Sequence, residues 1–416
     1  MDPPKPFFSR SYGGYSEDQF RWLQNRRPLE SRTIWDPMGG QAYHLSALAQ
    51  KSSKLFINDI NPALLLLAFL RNPKSINNHI NLCSRLEDIL RDGFALPSLE
   101  SSITHSENWI SDKAAAELKS LFKLAELDKL KNPFTSGWRV DRLDGEREFQ
   151  IFVLAIIVFS ARSLIAYTQS RNVTWTKKGG YTRYSSIADP IRAALQNWKR
   201  YSEEAIRNKI LKNGKIIIET NSIQESLPNT KFTPDTIITS PPYANRLDYS
   251  SMWGPEANLL SFLYNVETST LKKQQIGSIV VRGSNRNIDL EWPPQILESL
   301  EKILVDDKSH GSANYYFPFF VNYTRGIWDS MRNITSLKCA PGTKFFVFVR
   351  DTARKNVLFQ TGLLTTRAIE RNSNYVLVES HEEVIGSHIG MKRIGRDRQN
   401  LVGLSQREWW LEFEAK

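Results

Sequence analysis

The chain has 416 residues, of which 41% are hydrophobic and 24% charged, a composition typical of a globular protein with a sizeable core. Its formal net charge of +11 favours a polyanionic partner such as DNA, because phosphate groups supply most of the sequence-independent binding energy. The two cysteines, Cys83 and Cys339, are too few for a disulfide framework or a cysteine-rich zinc site, so we expect no metal and a cytoplasmic protein.

The first 70 residues alternate between strands and helices. The pattern predicts a helix over 17–25, a strand over 33–35, a helix over 43–50, a strand over 54–58 and a helix over 63–70. A turn follows each strand and precedes the next helix. This order is typical of an open α/β sheet with parallel strands.

From residue 75 to residue 208 the alternation stops and the pattern is mostly helical. The most apolar run, Phe152 to Ser160, is too short to span a bilayer, so it predicts a buried helix and no membrane partner. Further strands are predicted over 215–219, 235–238, 344–349, 375–379 and 408–413. We therefore predict one Rossmann-like α/β sheet from residues 1–74 and 209–416, with a large, mostly helical insertion at 75–208 as a candidate target-recognition region.

Polar turns follow the first two predicted strands. Asp36, Gly39 and Gly40 come after the first strand, where glycine lets the backbone approach a nucleotide-like ligand closely. Asp59 ends the second strand, about 20 positions downstream, where an acidic residue can bind ribose hydroxyls. An ordinary loop and a helix cap are the alternative interpretations. The turn lacks Gly-x-x-x-x-Gly-Lys and a full Gly-x-Gly-x-x-Gly, which disfavours an NTPase and an NAD site.

A rigid polar turn, Ser240-Pro241-Pro242-Tyr243, follows the buried strand predicted at 235–238. Its two prolines fix the backbone and contribute no N–H group. Such a turn is suited to hold a planar base, because Tyr243 can stack on the ring while the Ser240 hydroxyl and the Pro241 carbonyl accept hydrogen bonds from an amino group. These bonds would free the nitrogen lone pair from conjugation with the ring. A purely structural Pro-Pro turn is the alternative.

The segment Thr-Ser-Pro-Pro-Tyr at 239–243 resembles motif IV of the S-adenosylmethionine-dependent DNA amino-methyltransferases, which make N4-methylcytosine or N6-methyladenine, as in restriction–modification systems. Segments similar to that family's motifs X, I, II and III and to its last strands lie at 12–15, 36–40, 59–62, 215–222, 339–351 and 407–408. The resemblance covers 1–74 and 209–416 and implies a class I methyltransferase sheet.

The resemblance also implies S-adenosylmethionine as the cofactor and assigns roles to residues. The catalytic residues would be Ser240, Pro241, Pro242 and Tyr243. The cofactor would be bound by Tyr12, Asp36, Pro37, Gly39, Gly40, Asp59, Ile60, Asn221 and Ser240. The chain departs from the family's pattern at Gln41 and Ala42 in motif I and at Asn221 in motif III, where an amide oxygen replaces a carboxylate as hydrogen-bond acceptor.

Ser240 favours the N4 amino group of cytosine as the methyl acceptor, since the adenine-N6 enzymes of this family more often carry Asp or Asn at this position. Adenine N6 is the alternative acceptor. A target base in duplex DNA has to flip out of the helix. Methylation at cytosine C5 needs a nucleophilic cysteine after proline, whereas Cys83 follows Leu82 and Cys339 follows Lys338.

A basic, aromatic segment at 171–209, with nine Lys or Arg residues against three acidic ones, predicts contact with double-stranded DNA, although a solvated charged face is the alternative. The predicted DNA-binding residues are Arg171, Trp175, Lys177, Lys178, Tyr181, Arg183, Arg246, Arg282, Arg286, Lys392 and Arg393. A cognate restriction endonuclease or a defence-system subunit is a candidate partner. An RNA amino-methyltransferase and a non-catalytic DNA-binding subunit are the alternatives for the whole chain.

Overall fold

The computed structural model has an α/β fold. It describes residues 15–30, 32–49, 53–92, 110–141, 144–165, 186–208, 214–229, 232–244, 249–278, 286–305, 311–354, 357–371, 373–384 and 407–416. The strands are β1 (Thr33–Asp36), β2 (Lys54–Asp59), β3 (Arg139–Val140), β4 (Lys215–Thr220), β5 (Thr236–Thr239), β6 (Lys344–Arg350), β7 (Thr352–Arg354), β8 (Val357–Phe359), β9 (Tyr375–Val384) and β10 (Arg407–Ala415).

Eight of these strands form one mixed, mostly parallel sheet in the order β3-β4-β2-β1-β5-β6-β10-β9. The five central strands, from β4 to β6, run parallel to one another. The outer strands β3, β10 and β9 are antiparallel to their neighbours. The remaining two strands, β7 and β8, pair as a separate hairpin. This arrangement is compatible with a Rossmann-like fold.

Helices cover both faces of the sheet. They are α1 (Glu17–Arg26), α2 (Tyr43–Ala49), α3 (Pro62–Phe69), α4 (Pro73–Asn77), α5 (His79–Asp92), α6 (Asp112–Leu124), α7 (Gly145–Leu164), α8 (Ala188–Arg207), α9 (Tyr249–Met252), α10 (Gly254–Tyr264), α11 (Ser269–Gln274), α12 (Pro294–Leu304), α13 (Phe317–Ser336) and α14 (Thr361–Arg371). Helices α1, α3, α7 and α10 belong to the apolar cluster on one face, and α12, α13 and α14 to that on the other. Successive strand residues alternate between the two clusters, as Ile34 and Trp35 do.

The seven strands predicted from the sequence are confirmed. Six of them end within two residues of the predicted bounds, and β9 continues to Val384. Strand β3 and the β7–β8 hairpin were not predicted. Each of these strands has only two or three residues, which is too short to display an alternating pattern.

The strand order reverses beside β1. The chain passes from β1 to β2 and β4 on one side, and later from β5 to β6 on the other side. Ligands of open α/β sheets bind at the carboxyl ends of the strands where this reversal occurs. The fold therefore predicts a ligand site at the turns after β1 and β5.

The helical region 75–208 is built into the sheet and its covering layer. Strand β3 pairs with β4, and α7 packs against α3, α8 and α10. The predicted buried helix at 152–160 is confirmed as part of α7, whose residues from Phe152 to Val158 are all buried. Among the helices that the structure describes, none combines the length and the apolar character needed to cross a membrane.

Candidate active site

A pocket opens at the carboxyl ends of four adjacent strands, β4, β2, β1 and β5. It contains about 1270 Å³ of empty space, including its open mouth. The described residues that line it are Tyr15, Asp36, Pro37, Met38, Gly39, Gly40, Gln41, Ala42, Tyr43, His44, Asp59, Ile60, Asn61, Leu64, Asn221, Ser222, Ile223, Gln224, Ser240, Pro241, Pro242, Tyr243, Tyr249, Trp253, Leu271, Gln275 and Ile276.

The turn after β1 lies close against β2. The Gly39 N–H donates to the Asn58 carbonyl at 2.9 Å, and a Cβ added at Gly39 would lie 2.6 Å from the Ile57 side chain. Gly40 has a φ of +53°, a left-handed conformation that glycine adopts without strain. The turn therefore uses both glycines, one for close approach and one for its backbone conformation.

Asp59 ties the turn after β1 to the end of β2. One of its carboxylate oxygens accepts a hydrogen bond from the Gly40 N–H at 3.0 Å, and the other accepts from the Asn61 N–H at 2.8 Å. Burial raises the pKa of Asp59 to about 6, against the opposing effect of these N–H groups. Each oxygen has a second lone pair, so the carboxylate can still accept hydrogen bonds from a ligand in the pocket.

Asp36 and Tyr15 form a buried pair beside this turn. The Tyr15 hydroxyl donates to the Asp36 carboxylate at 2.8 Å. Burial raises the pKa of Asp36 to about 7, although the Tyr15 hydroxyl and the Met38 N–H favour its ionised form. Tyr15 belongs to the predicted motif X segment, but the residue singled out there was Tyr12, which lies outside the described residues.

The turn after β4 brings Asn221 and Ser222 to the pocket. The Asn221 N–H donates to the Asp59 carbonyl at 3.1 Å. Its side-chain amide donates to the Ser226 carbonyl at 2.8 Å, while its amide oxygen accepts from the Ser226 hydroxyl at 3.3 Å. The side chain of Asn221 therefore helps to fold its own loop as well as lining the pocket.

The turn after β5 is held in place by groups from distant parts of the chain. The Pro242 carbonyl accepts a hydrogen bond from the Tyr323 hydroxyl at 2.9 Å. The Tyr243 hydroxyl donates to Glu408 at 3.0 Å and also interacts with the Ser240 side chain. Burial, followed by the nearby Glu408 charge, raises the pKa of Tyr243 above its usual range, so this phenol stays protonated.

Two buried polar side chains that line the pocket lack a hydrogen-bond partner among the described residues. Both polar atoms of the Gln41 amide are in this state, and so is the Ser222 hydroxyl. Gln41 is 5% exposed and Ser222 8% exposed. A buried polar group without a partner costs about 1–3 kcal/mol, so a ligand that pairs with these groups would gain that energy.

The pocket brings together every predicted cofactor and catalytic residue that the structure describes. Sequence reasoning missed several of its wall residues: Tyr15, Tyr43, His44, Gln224, Tyr249, Trp253, Leu271, Gln275 and Ile276. Most of these come from segments with no recognisable motif. A signal was available for Tyr249, which follows the Ser-Pro-Pro-Tyr turn by six positions and whose hydroxyl accepts from the Tyr243 N–H at 3.5 Å.

Most predicted DNA-binding residues lie outside the described residues: Arg171, Trp175, Lys177, Lys178, Tyr181, Arg183, Arg246, Arg282, Lys392 and Arg393. Arg286 is described and exposed, ahead of α12, and it is not one of the pocket-lining residues. Its predicted role remains a prediction.

Comparison with known proteins adds no assignment to this geometry. No protein-family model matches the chain, and no curated protein matches it significantly.

Proposed function

We propose that this protein is an S-adenosylmethionine-dependent DNA methyltransferase that acts on an exocyclic amino group, N4 of cytosine. The observation that carries the proposal is one pocket that joins the glycine turn after β1, Asp59 at the end of β2, Asn221 after β4 and the Ser240–Tyr243 turn after β5. These four elements stand side by side in the sheet, so a cofactor and a base could be held together there.

The residues of the pocket fit such a cofactor. Gly39 and Gly40 leave room for close approach to the backbone, and Asp59 offers carboxylate oxygens for ribose hydroxyls. The unpartnered Gln41 amide supplies a donor and an acceptor beside the turn after β1, and Ser222 supplies a hydroxyl beside the end of β4. When bound, S-adenosylmethionine supplies a methyl group on a positively charged sulfur.

The turn after β5 would prepare the methyl acceptor. The Ser240 hydroxyl oxygen and the Pro241 carbonyl accept hydrogen bonds from the amino group of the base, which draws the nitrogen lone pair out of conjugation. We assign the carbonyl role to Pro241 because the Pro242 carbonyl already accepts from Tyr323. Tyr243 supports the ring by stacking, an interaction worth about 1–3 kcal/mol per base.

The proposal extends to the fold and the partner. We assign the sheet to the class I methyltransferase type, with residues 75–208 as its insertion, and duplex DNA as the substrate of a cytoplasmic enzyme. The net charge of +11 supports a polyanionic substrate, from which the target base is flipped into the pocket. A restriction endonuclease or a defence-system subunit is the partner that such an enzyme would accompany.

The experiment that tests the proposal is methylation of assorted DNA with isotopically labelled cofactor, followed by mass spectrometry of the nucleosides. We expect N4-methylcytosine. Recovery of N6-methyladenine would keep amino methylation but reject the acceptor inferred from Ser240. If RNA offered in the same assay becomes labelled and DNA does not, the substrate is RNA. If calorimetry finds no binding of S-adenosylmethionine, the chain is a non-catalytic subunit and the proposal fails.

A further inference from the structure

The Tyr243 ring is anchored by two residues of the C-terminal half of the sheet. Its hydroxyl donates to Glu408 on β10 at 3.0 Å. The Arg350 guanidinium, at the end of β6, lies over the ring with 5.2 Å between Cζ and the ring centroid. Arg350 and Glu408 also pair with each other at 3.4 Å. The three side chains form a closed cluster that joins the turn after β5 to β6 and β10.

Tyr243 is the one side chain of this cluster that lines the pocket. Tyr243 is among the described residues that line the pocket, whereas Arg350 and Glu408 are not. Arg350 therefore covers the ring from outside the pocket lining. A phenol ring that is hydrogen-bonded at its hydroxyl end and covered by a cation on one face has a single orientation and one free stacking face.

The backbone around Tyr243 is held from other directions. The Tyr323 hydroxyl on α13 donates to the Pro242 carbonyl, and the Tyr243 N–H donates to the Tyr249 hydroxyl on α9. Neither contact fixes the rotation of the Tyr243 ring itself. The rotation of the ring is restrained by its contacts with Glu408 and Arg350, together with the Ser240 side chain at its hydroxyl.

We propose that Glu408 is a positioning residue that, with Arg350 behind the ring, holds Tyr243 as a preoriented stacking platform for a single planar base. The proposal rests on the proposed function, because it takes Tyr243 to be the residue on which the base stacks. Glu408 acts through Tyr243 and does not touch the base. A ring that is already ordered loses less conformational freedom when the base arrives, and a misplaced ring lowers the rate of transfer.

Three variants test this role. Glu408→Leu removes the acceptor for the Tyr243 hydroxyl, and Glu408→Gln keeps a carbonyl acceptor while removing the charge. Glu383→Gln is the matched control, because Glu383 lies opposite Glu408 in the β9–β10 ladder. Burial raises the pKa of Glu383, and repulsion from the nearby Glu408 carboxylate raises it further. The control therefore removes a neighbouring charge without touching Tyr243.

We expect Glu408→Leu to lower kcat/KM for DNA by about 10- to 100-fold, the range for misplacement of a reacting group. The dissociation constant of S-adenosylmethionine, measured by calorimetry, should stay within about twofold of wild type, because Glu408 itself does not line the pocket. Glu408→Gln should recover most of the activity, and Glu383→Gln should match wild type. General destabilisation of the fold would impair both quantities, whereas loss of the platform should lower kcat/KM for DNA and leave cofactor binding unchanged.

A second variant keeps the test decisive if Glu408→Leu, which leaves Arg350 without this carboxylate, does not fold. Tyr243→Phe keeps the ring but removes the hydroxyl that Glu408 holds, so it should lower kcat/KM for DNA while the dissociation constant of S-adenosylmethionine stays within about twofold of wild type. Wild-type kcat/KM in Tyr243→Phe would overturn the platform. Equal activity of wild type, Glu408→Gln and Glu408→Leu would overturn the platform while leaving the methyltransferase proposal intact. A wild-type protein that binds the cofactor but methylates no DNA would refute the proposed function and the platform with it.

Discussion

Replacing Gly39 with alanine tests whether the turn after β1 has to lie against β2. The added Cβ would lie 2.6 Å from Ile57 Cγ2 and 2.9 Å from Asp36 Cγ. Carbon atoms in contact are normally about 3.5–4.0 Å apart. Ile57 and Asp36 are both buried, so neither side chain can move aside freely. The turn itself would have to lift by about 1 Å to restore normal contact.

That displacement has two expected consequences. Overpacking of this kind lowers the free energy of unfolding by about 1–3 kcal/mol. The lifted turn also strains the hydrogen bonds from the Gly39 N–H to Asn58 and from the Gly40 N–H to Asp59. We expect the affinity for S-adenosylmethionine to fall by about 10- to 100-fold, because that cofactor would be bound by the same turn.

Gly145→Ala is the matched control. Gly145 is the first residue of α7, and an added Cβ would meet nothing within 4 Å. Alanine favours a helix over glycine by up to about 1 kcal/mol, so this variant should be as stable as wild type or slightly more so. Urea unfolding and calorimetric titration with the cofactor measure both quantities. The steric reasoning is wrong if Gly39→Ala unfolds and binds the cofactor as Gly145→Ala does.

Three further variants address individual groups in the pocket. Gln41→Leu should raise the free energy of unfolding by about 1–3 kcal/mol, because it removes a buried amide without a partner. It should also weaken binding of S-adenosylmethionine. A variant that is less stable than wild type and binds the cofactor with unchanged affinity contradicts this reasoning. Ser240→Ala should lower kcat by about 10-fold or more, the size of a lost transition-state hydrogen bond, with cofactor affinity within about twofold; full activity on DNA excludes the role of Ser240. Burial raises the pKa of Asp36 in the folded chain to about 7, well above its usual value. Ionising this carboxyl group therefore lowers the free energy of unfolding by about 4 kcal/mol as the pH rises from about 4 to 7. Asp36→Asn should therefore gain stability relative to wild type over that pH range in urea unfolding, and parallel pH profiles would disprove the assignment.

The side of the pocket formed by the ends of β1 and β2 was predictable because its signals are local. Asp36 and Asp59 end two strands whose hydrophobic pattern is plain in the sequence, and Gly39 lies in the turn after the first of them. In a parallel sheet the carboxyl ends of neighbouring strands meet at one edge. Recognition of two strands and their turns was therefore enough to bring these residues together.

The wall opposite was not predictable in the same way. Trp253 and Ile276 follow the Ser-Pro-Pro-Tyr turn in segments without a recognisable pattern, and they reach the pocket only through the packing of α9, α10 and α11. The contact between Tyr243 and Glu408 joins residues 165 positions apart. Its geometry depends on β10 inserting antiparallel between β6 and β9. The sequence of a single strand does not reveal which strands it will pair with.

The packing of α7 connects the helical region 75–208 to the wall of the pocket that contains Trp253. Arg162, near the end of α7, makes hydrogen bonds to both oxygens of the Glu256 carboxylate, at 2.6 and 3.1 Å, and to the Met252 carbonyl at 2.6 Å. Its guanidinium also lies over the pocket residue Trp253, 5.5 Å from the ring centroid. A buried carboxylate held by an arginine is costly to disrupt, because loss of one partner leaves a charge unpaired. The region 75–208 therefore fixes the α9–α10 junction that carries Trp253, so it shapes the pocket whether or not it also contacts DNA.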